Sequence, residues 1–264
     1  MATTNDIRAV ILKVIQDQHP KGQSGAPLNQ KTVLDETKLR LNISYENIEK
    51  EQAILTAWSD LFRTGYLAWG LKISSPDRPL FHVTEMGRST LASLNSDPGN
   101  PAGYLHHLSA IAQLNPIVYS YLKESLESYV SGHYKAAVVM VGGATESIIL
   151  ELRDITVQKL TLLGKPVDNK LNDWRIKTVS NALHKLFDGL KTQMVKGKDN
   201  ALRDEFEAYW SAFAQQIRAV RNDAGHPTSV DPVTQNSVRA SLLIFIEIAK
   251  LADKLKILVN NDLK

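Results

Sequence analysis

The segment Asn95-Ser96-Asp97-Pro98-Gly99-Asn100-Pro101-Ala102-Gly103 gathers turn-forming residues so densely that it interrupts any regular element running toward it. It divides the 264-residue chain into two stretches of different character, and a hydrophobic content of 43% is enough for each to bury a core. The sequence reads as an N-terminal domain over residues 1–95, a linker and connecting segment over 96–115, and a second domain over 116–264. Upstream, apolar periodicity predicts helices over 6–18 and 29–41, then a longer one with Ile48, Leu55, Trp58 and Phe62 on one face, stopped by Gly65. Two runs rich in aromatic and β-branched residues follow, 66–73 and 80–84, with Ser74-Ser75-Pro76-Asp77-Arg78-Pro79 between them, which predicts a hairpin. Thr84 is placed to cap a last helix reaching Leu94, although Gly87 weakens its first turn.

Downstream, every segment reads as helix. Asn115 before Pro116 is an N-cap and first-turn pair, and Val118, Tyr121, Leu122, Leu126, Tyr129 and Val130 give the next helix its apolar stripe, closed by Gly132. Further helices are expected over 134–159, 173–192, 201–224 and 233–258, antiparallel and joined by short connections. Gly142 and Gly143 lie inside one of them and each costs about 1 kcal/mol relative to alanine, so a neighbour is expected to press on that backbone. The fold class is therefore mainly α, three helices and a β-hairpin followed by a five-helix bundle.

The three helices, hairpin and further helix resemble a winged helix-turn-helix domain, and the passage LFRTGYLAWGLKISSPDRPLFHVTEMG from Leu61 to Gly87 carries that resemblance. It implies a third helix that reads a DNA major groove and a wing that contacts phosphates. The third helix is poorly dressed for this task, because it holds Glu46, Glu49, Glu51 and Asp60 beside Lys50. Residues 1–95 contain 11 basic and 10 acidic side chains, so no broad polycationic surface advertises nucleic acid. Candidate phosphate contacts are Lys72 and Arg78 on the wing, with Lys21 and Lys31 before and at the second helix. DNA binding and protein docking both stay open for this domain.

The most chemical-looking segment is Arg221-Asn222-Asp223-Ala224-Gly225-His226-Pro227. Leu202, Phe206, Trp210, Phe213, Ile217 and Val220 make a core stripe ahead of it, and Arg221, eleven residues past Trp210, shares their azimuth. Gly225 and Pro227 end a helix, so His226 is expected just beyond the end, near Arg221. The same residues are also an ordinary stop signal with a histidine at the negative end of a helix dipole. Glu146 sits in an apolar passage on the face of Gly142 and Gly143. It is expected to pair either with Arg221 or His226, or structurally with Arg153.

These residues resemble the HEPN superfamily of helical domains. The match rests on SYVSGHYKAAVVMVGGATESIILELR, from Ser128 to Arg153, on the Arg-polar-x3-His motif RNDAGH, and on the count of five helices, covering about residues 116–258. The resemblance implies a metal-independent endoribonuclease working as a homodimer, with both copies of the motif facing one cleft. In that setting His226 is acid or base, Arg221 holds the phosphate and Asn222 orients the scissile group or the histidine. Glu146 and Arg218 support the site, with Arg239 as a further cation. Members of the family serve as toxins or effectors of antiviral abortive infection, with the attached winged helix as sensor for nucleic acid or a protein partner. The alternative is a DNA-binding regulator whose helical domain only dimerises or binds a nucleotide.

His106, His107, His133 and His184 are not promoted to ligands. No histidine pair with glutamate stands at metal-ligand spacing, and no phosphate-binding glycine loop occurs, so neither metal nor cofactor is expected. The absence of cysteine excludes disulfides and thiolate chemistry. With no targeting signal and no long apolar run, the expectation is a cytoplasmic protein without membrane contact.

Overall fold

The computed structural model describes residues 4–18, 28–44, 47–195, 200–219 and 233–263. The chain is mainly helical and divides into two compact units, Met1–His107 with Val130–Gly132, and Leu108–Tyr129 with His133–Lys264. No helix among the described residues is long and apolar enough to cross a membrane.

In the first unit the order is α1 (Thr4–Gln18), β1 (Leu28–Asn29), α2 (Gln30–Arg40), α3 (Ile48–Arg63), β2 (Leu67–Trp69), β3 (Leu80–Val83) and α4 (Glu85–Ala92). The sheet is antiparallel with β3 central: Phe81 lies opposite Leu28 on one side and Trp69 on the other. Two-residue β1 is too short for alternation to reveal it. Asn29 has a double duty there, since it pairs with Leu80 and its side chain accepts from the Lys31 backbone to cap α2. Trp58, Phe81, Leu61, Ile11, Ile15 and Val33 fill the core, and Trp58 meets Phe81 edge-on at 4.9 Å between centroids.

Two sequence expectations need correction in this unit. The buried face of α3 is Ile54, Ala57, Trp58 and Leu61, whereas Ile48 and Leu55 are exposed, 65% and 47%. The expected stripe at 48, 55 and 62 lies about 100° round the helix from the true core face, and both stripes contain or border Trp58. Aromatic packing chose between them. The hairpin strands are also shorter than expected, because Gly70 adopts φ +84° and Pro76 backbone atoms occupy the space its Cβ would take. Beyond Gly70 the chain makes a separate tight turn bridged between Lys72 and Ser75.

The expected connector holds an ordered turn and a helix, α5 (Pro101–Ile111). The turn is tied down within the first unit: Arg8 Nε donates to the Gly99 carbonyl at 3.0 Å, and Asp97 Oδ1 accepts from Thr90 Oγ1 at 2.9 Å and the Gly99 N–H at 2.8 Å. Arg8 is 4% exposed and its guanidinium lies 4.5 Å from the Tyr66 ring centroid.

The second unit contains α6 (Pro116–Val130), α7 (Tyr134–Leu162), a 3-10 turn (Asn169–Asn172), α8 (Ile176–Gly189), α9 (Ala201–Ala219) and α10 (Gln235–Asp262). Asn115 caps α6 as expected, its Oδ1 2.9 Å from the Val118 N–H. Helices α6 and α7 run antiparallel, linked by Ser125 Oγ donating to the Ala137 carbonyl and by Asn115 Nδ2 donating to Glu151. The Tyr121 ring lies where a side chain at Gly143 would go, 2.9 Å from an ideal Cβ, so the pressure expected on this backbone is real; Gly142 is buried. Helix α10 packs along α7 and α9. The stripe Phe206, Trp210 and Phe213 is buried as expected, and Phe187 and His184 lie against it.

Helix α8 starts three residues later than the sequence suggested, because Asp173 is spent on a turn instead. Its carboxylate accepts from the Arg175 backbone at 2.8 Å and from Arg175 Nε and Nη2 at 3.0 and 2.7 Å. The Arg175 side chain, followed by its backbone N–H, holds the Asp173 carboxyl at about 2, below the ordinary 3.8. A depressed carboxyl contributes stability above its unfolded pKa and loses it as pH falls through the folded value, so this turn should stay clamped through the range where ordinary aspartates protonate. A carbon-13 titration of Asp173 should show no midpoint near 3.8, and Arg175→Gln should restore one; a midpoint unmoved by the substitution would refute the clamp.

Candidate functional site

In the first unit, backbone pairing joins the start of α2 to the end of the hairpin loop, two segments far apart in sequence that each carry a candidate cation. The Gln30 N–H donates to the Pro79 carbonyl at 3.0 Å, so Lys31, in the first turn of α2, and Arg78, in the loop before β3, each adjoin a residue of that bond. Lys31 also reaches Asp35 at 3.8 Å on an exposed surface. The Arg78 guanidinium rests 4.5 Å from the Trp69 ring centroid, and Trp69 in turn stacks on Phe62 at 4.1 Å. A cation held over an aromatic face keeps its N–H edge free for an anion and loses less freedom on binding. Lys72 lies farther along the hairpin loop, in the tight turn, and is exposed. Lys21 lies outside the described residues.

The acids of α3 are arranged differently from what their number suggests. Glu51 is engaged by Lys38 of α2, and Asp60 by Arg63 at 3.0 Å. The solvent side of the helix presents Lys50, Gln52, Thr56 and Ser59 with Glu49 at its first turn, so most of its middle is neutral and hydrogen-bonding. Sequence reasoning missed Gln52, Thr56 and Ser59 because it assigned the core face one residue step away. Starting the periodicity from Trp58 with Ile54 and Leu61 would have found them.

In the second unit Glu146 is half-buried on α7, on the helix face it shares with Gly143. Arg153, its expected structural partner, directs Nε and Nη2 at Asp154, each at 2.7 Å. Arg239 is half-buried near the start of α10. Arg218 belongs to α9, with its side chain outside what is described, and Arg221, Asn222 and His226 also lie outside the described residues. Of the histidines set aside, His184 is a packing residue, stacked on Phe206 at 5.5 Å, and His133 occupies the N-cap of α7 without a side-chain cap bond. Among the described residues no three potential metal ligands converge.

Compared with known proteins, the chain matches no family model, no curated protein and no solved structure.

Proposed function

We propose that this protein is a cytoplasmic, homodimeric, metal-independent endoribonuclease of HEPN type, with an N-terminal winged helix that recruits or regulates it. The observation that carries this reading is the Arg221-Asn222-x3-His226 motif, which follows in sequence a helix whose Phe206, Trp210 and Phe213 stripe is buried. The antiparallel α6–α7 pair covering the second stretch of resemblance and the five-helix order support it. The reaction attacks the phosphorus with the neighbouring 2′-oxygen and breaks the bond to O5′. It leaves a 2′,3′-cyclic phosphate and a 5′-hydroxyl. A base takes the 2′ proton and an acid supplies one to O5′; two copies of His226 across a two-fold axis divide these roles, while Arg221 meets the charge building on the phosphoryl oxygens. A toxin or antiviral-defence effector uses such chemistry against cellular RNA. Purified protein incubated with single-stranded RNA or transfer RNA in excess EDTA should produce cyclic-phosphate ends. Intact RNA after that incubation would overturn the proposal.

A second reading is favoured by the surface of the first unit: a DNA-binding regulator whose helical domain only dimerises. Its support is the neutral middle of α3 together with the exposed Lys31 and Lys72 and the aromatic-held Arg78. This reading expects salt-sensitive binding to duplex DNA, in which Lys72→Ala and Arg78→Ala each lower the slope of log affinity against log salt by about 0.9. Arg221→Ala should leave that binding unchanged. Duplex affinity indifferent to all three substitutions would remove the reading.

A further inference from the structure

Between residues 159 and 177 the chain carries five basic side chains against two acidic ones, an excess equal to the net +3 of the whole molecule. This is the connection from the end of α7 to the start of α8, and at its far end stands Trp174, 86% exposed. The other tryptophans differ: Trp58 and Trp210 are buried, and Trp69 is half-buried against Phe62. An indole so fully in water is costly to display without a partner, and it makes no ring contact among the described residues.

The surroundings of Trp174 hold it out instead of letting it collapse. Asp173 and Arg175, its two neighbours, are joined by three hydrogen bonds that close the backbone turn beneath it. Leu171, 1% exposed, pins the turn on one side, and on the other the Thr178 N–H donates to the Arg175 carbonyl at 2.8 Å. Lys170, in the 3-10 turn, and Lys177, in the first turn of α8, stand four residues before and three after Trp174; both are exposed and no ion pair is seen for either among the described residues. An exposed aromatic ring on a hydrogen-bonded turn, with an exposed lysine within four residues on each side in sequence, has the composition that single-stranded nucleic acid requires. The base stacks on the ring and the neighbouring phosphates meet the cations. A duplex buries its base faces and offers the ring nothing.

We propose that Trp174, with Lys170 and Lys177, is a stacking platform for an unpaired base of single-stranded RNA. The inference rests on the ribonuclease reading for its choice of RNA and deepens it by assigning a substrate-holding surface apart from the Arg221–His226 motif. Leu162 and Leu163 at the end of α7 are exposed as well, 77% and 40%, so an anionic lipid surface is the competing partner to be tested.

The experiment uses the full chain carrying His226→Ala, in EDTA, with a fluorescein-labelled oligouridylate of about twelve nucleotides. Trp174→Ala should weaken binding about ten-fold and Trp174→Tyr by less than about two-fold, since any flat aromatic ring supports the stack. Lys170→Ala and Lys177→Ala should each reduce the salt slope by about 0.7. A blunt RNA duplex of equal length should show no dependence on Trp174. An unchanged affinity in Trp174→Ala overturns the platform. So does a Trp174 requirement that appears only for phosphatidylserine vesicles. Because the side chain lies on the surface, the circular dichroism of the variants should match the parent. Cleavage by the otherwise wild-type chain that ignores Trp174 defeats this inference and leaves the ribonuclease reading intact. Trp174-dependent binding without any cleavage by wild type does the reverse.

Discussion

His226→Ala should lower RNA cleavage by a factor of about 10² to 10⁴, the range that a positioned proton-transfer group supplies. Arg221→Ala should fall in the same range, because a fixed guanidinium at a phosphoryl group acts on the transition state and is not replaced by water. The proposed sharing of one cleft by two subunits carries a sharper expectation. If both histidines of a dimer serve one cleft, subunits carrying His226→Ala poison their wild-type partners. An equimolar, fully exchanged mixture then retains about a quarter of the wild-type activity, since only about one dimer in four is wild type on both sides. If each subunit worked alone, the mixture would retain about half. Single-turnover rates in EDTA separate the two. Loss of the dimer in either variant is monitored by sedimentation, so a fall in rate from dissociation is distinguished from a fall in chemistry. Equal activity of wild type and His226→Ala would remove the motif from the reaction altogether.

Reading that motif from sequence depended on an arginine lying at a core azimuth, and the first unit shows what else such an arginine does. Arg8 stands three, four and seven residues before Ile11, Leu12 and Ile15, so it too shares a buried helical face. Its task is structural: it binds the Gly99 carbonyl and lies over Tyr66, fixing the turn that separates the two halves of the sequence. Spacing alone therefore marks a cation as inward without assigning its work. For Arg221 the added weight comes from His226 and the resemblance over Ser128–Arg153. Helix positions, the Asn115 and Thr84 caps and the Phe206–Trp210–Phe213 stripe were legible because each depends on local pattern. The pairing of the α2 start with the hairpin loop was not. The segments that carry Lys31 and Arg78 are joined only by the pairing of β1 with β3 and the bond from Gln30 to Pro79, and a two-residue strand leaves no periodic trace. The face of α3 was misread for a related reason: two apolar stripes competed, and the packing of Trp58 against Phe81, which the sheet contributes, settled which one turned inward.

The stability effect expected to be largest is that of Gly87→Ala, at a position the sequence marked only as a weak point in a helix. Gly87 is in the first turn of α4 and its N–H donates to the Thr84 cap at 3.1 Å. A Cβ there would fall inside contact distance of the Tyr66 carbonyl oxygen and 2.7 Å from Val83 Cγ1. The carbonyl has no room to retreat, because it accepts from both the backbone N–H and the hydroxyl of Thr84, each at 3.1 Å. Relief must come from shifting the β2–α4 corner or giving up those bonds. Overpacking and a lost buried hydrogen bond together amount to about 3 kcal/mol, well above the fraction of a kcal/mol that helix propensity would return. Gly189→Ala is the control. It ends α8 with nothing within 4 Å of an added Cβ, so it should be neutral or stabilising by up to about 1 kcal/mol. Amide exchange in denaturant should show the core amides of Trp58 and Phe81 losing protection in Gly87→Ala, while those of Leu152 and Phe245 in the second unit keep theirs. Equal stability of Gly87→Ala and wild type would mean that the close approach of α4 to the Tyr66 carbonyl does not exist in solution.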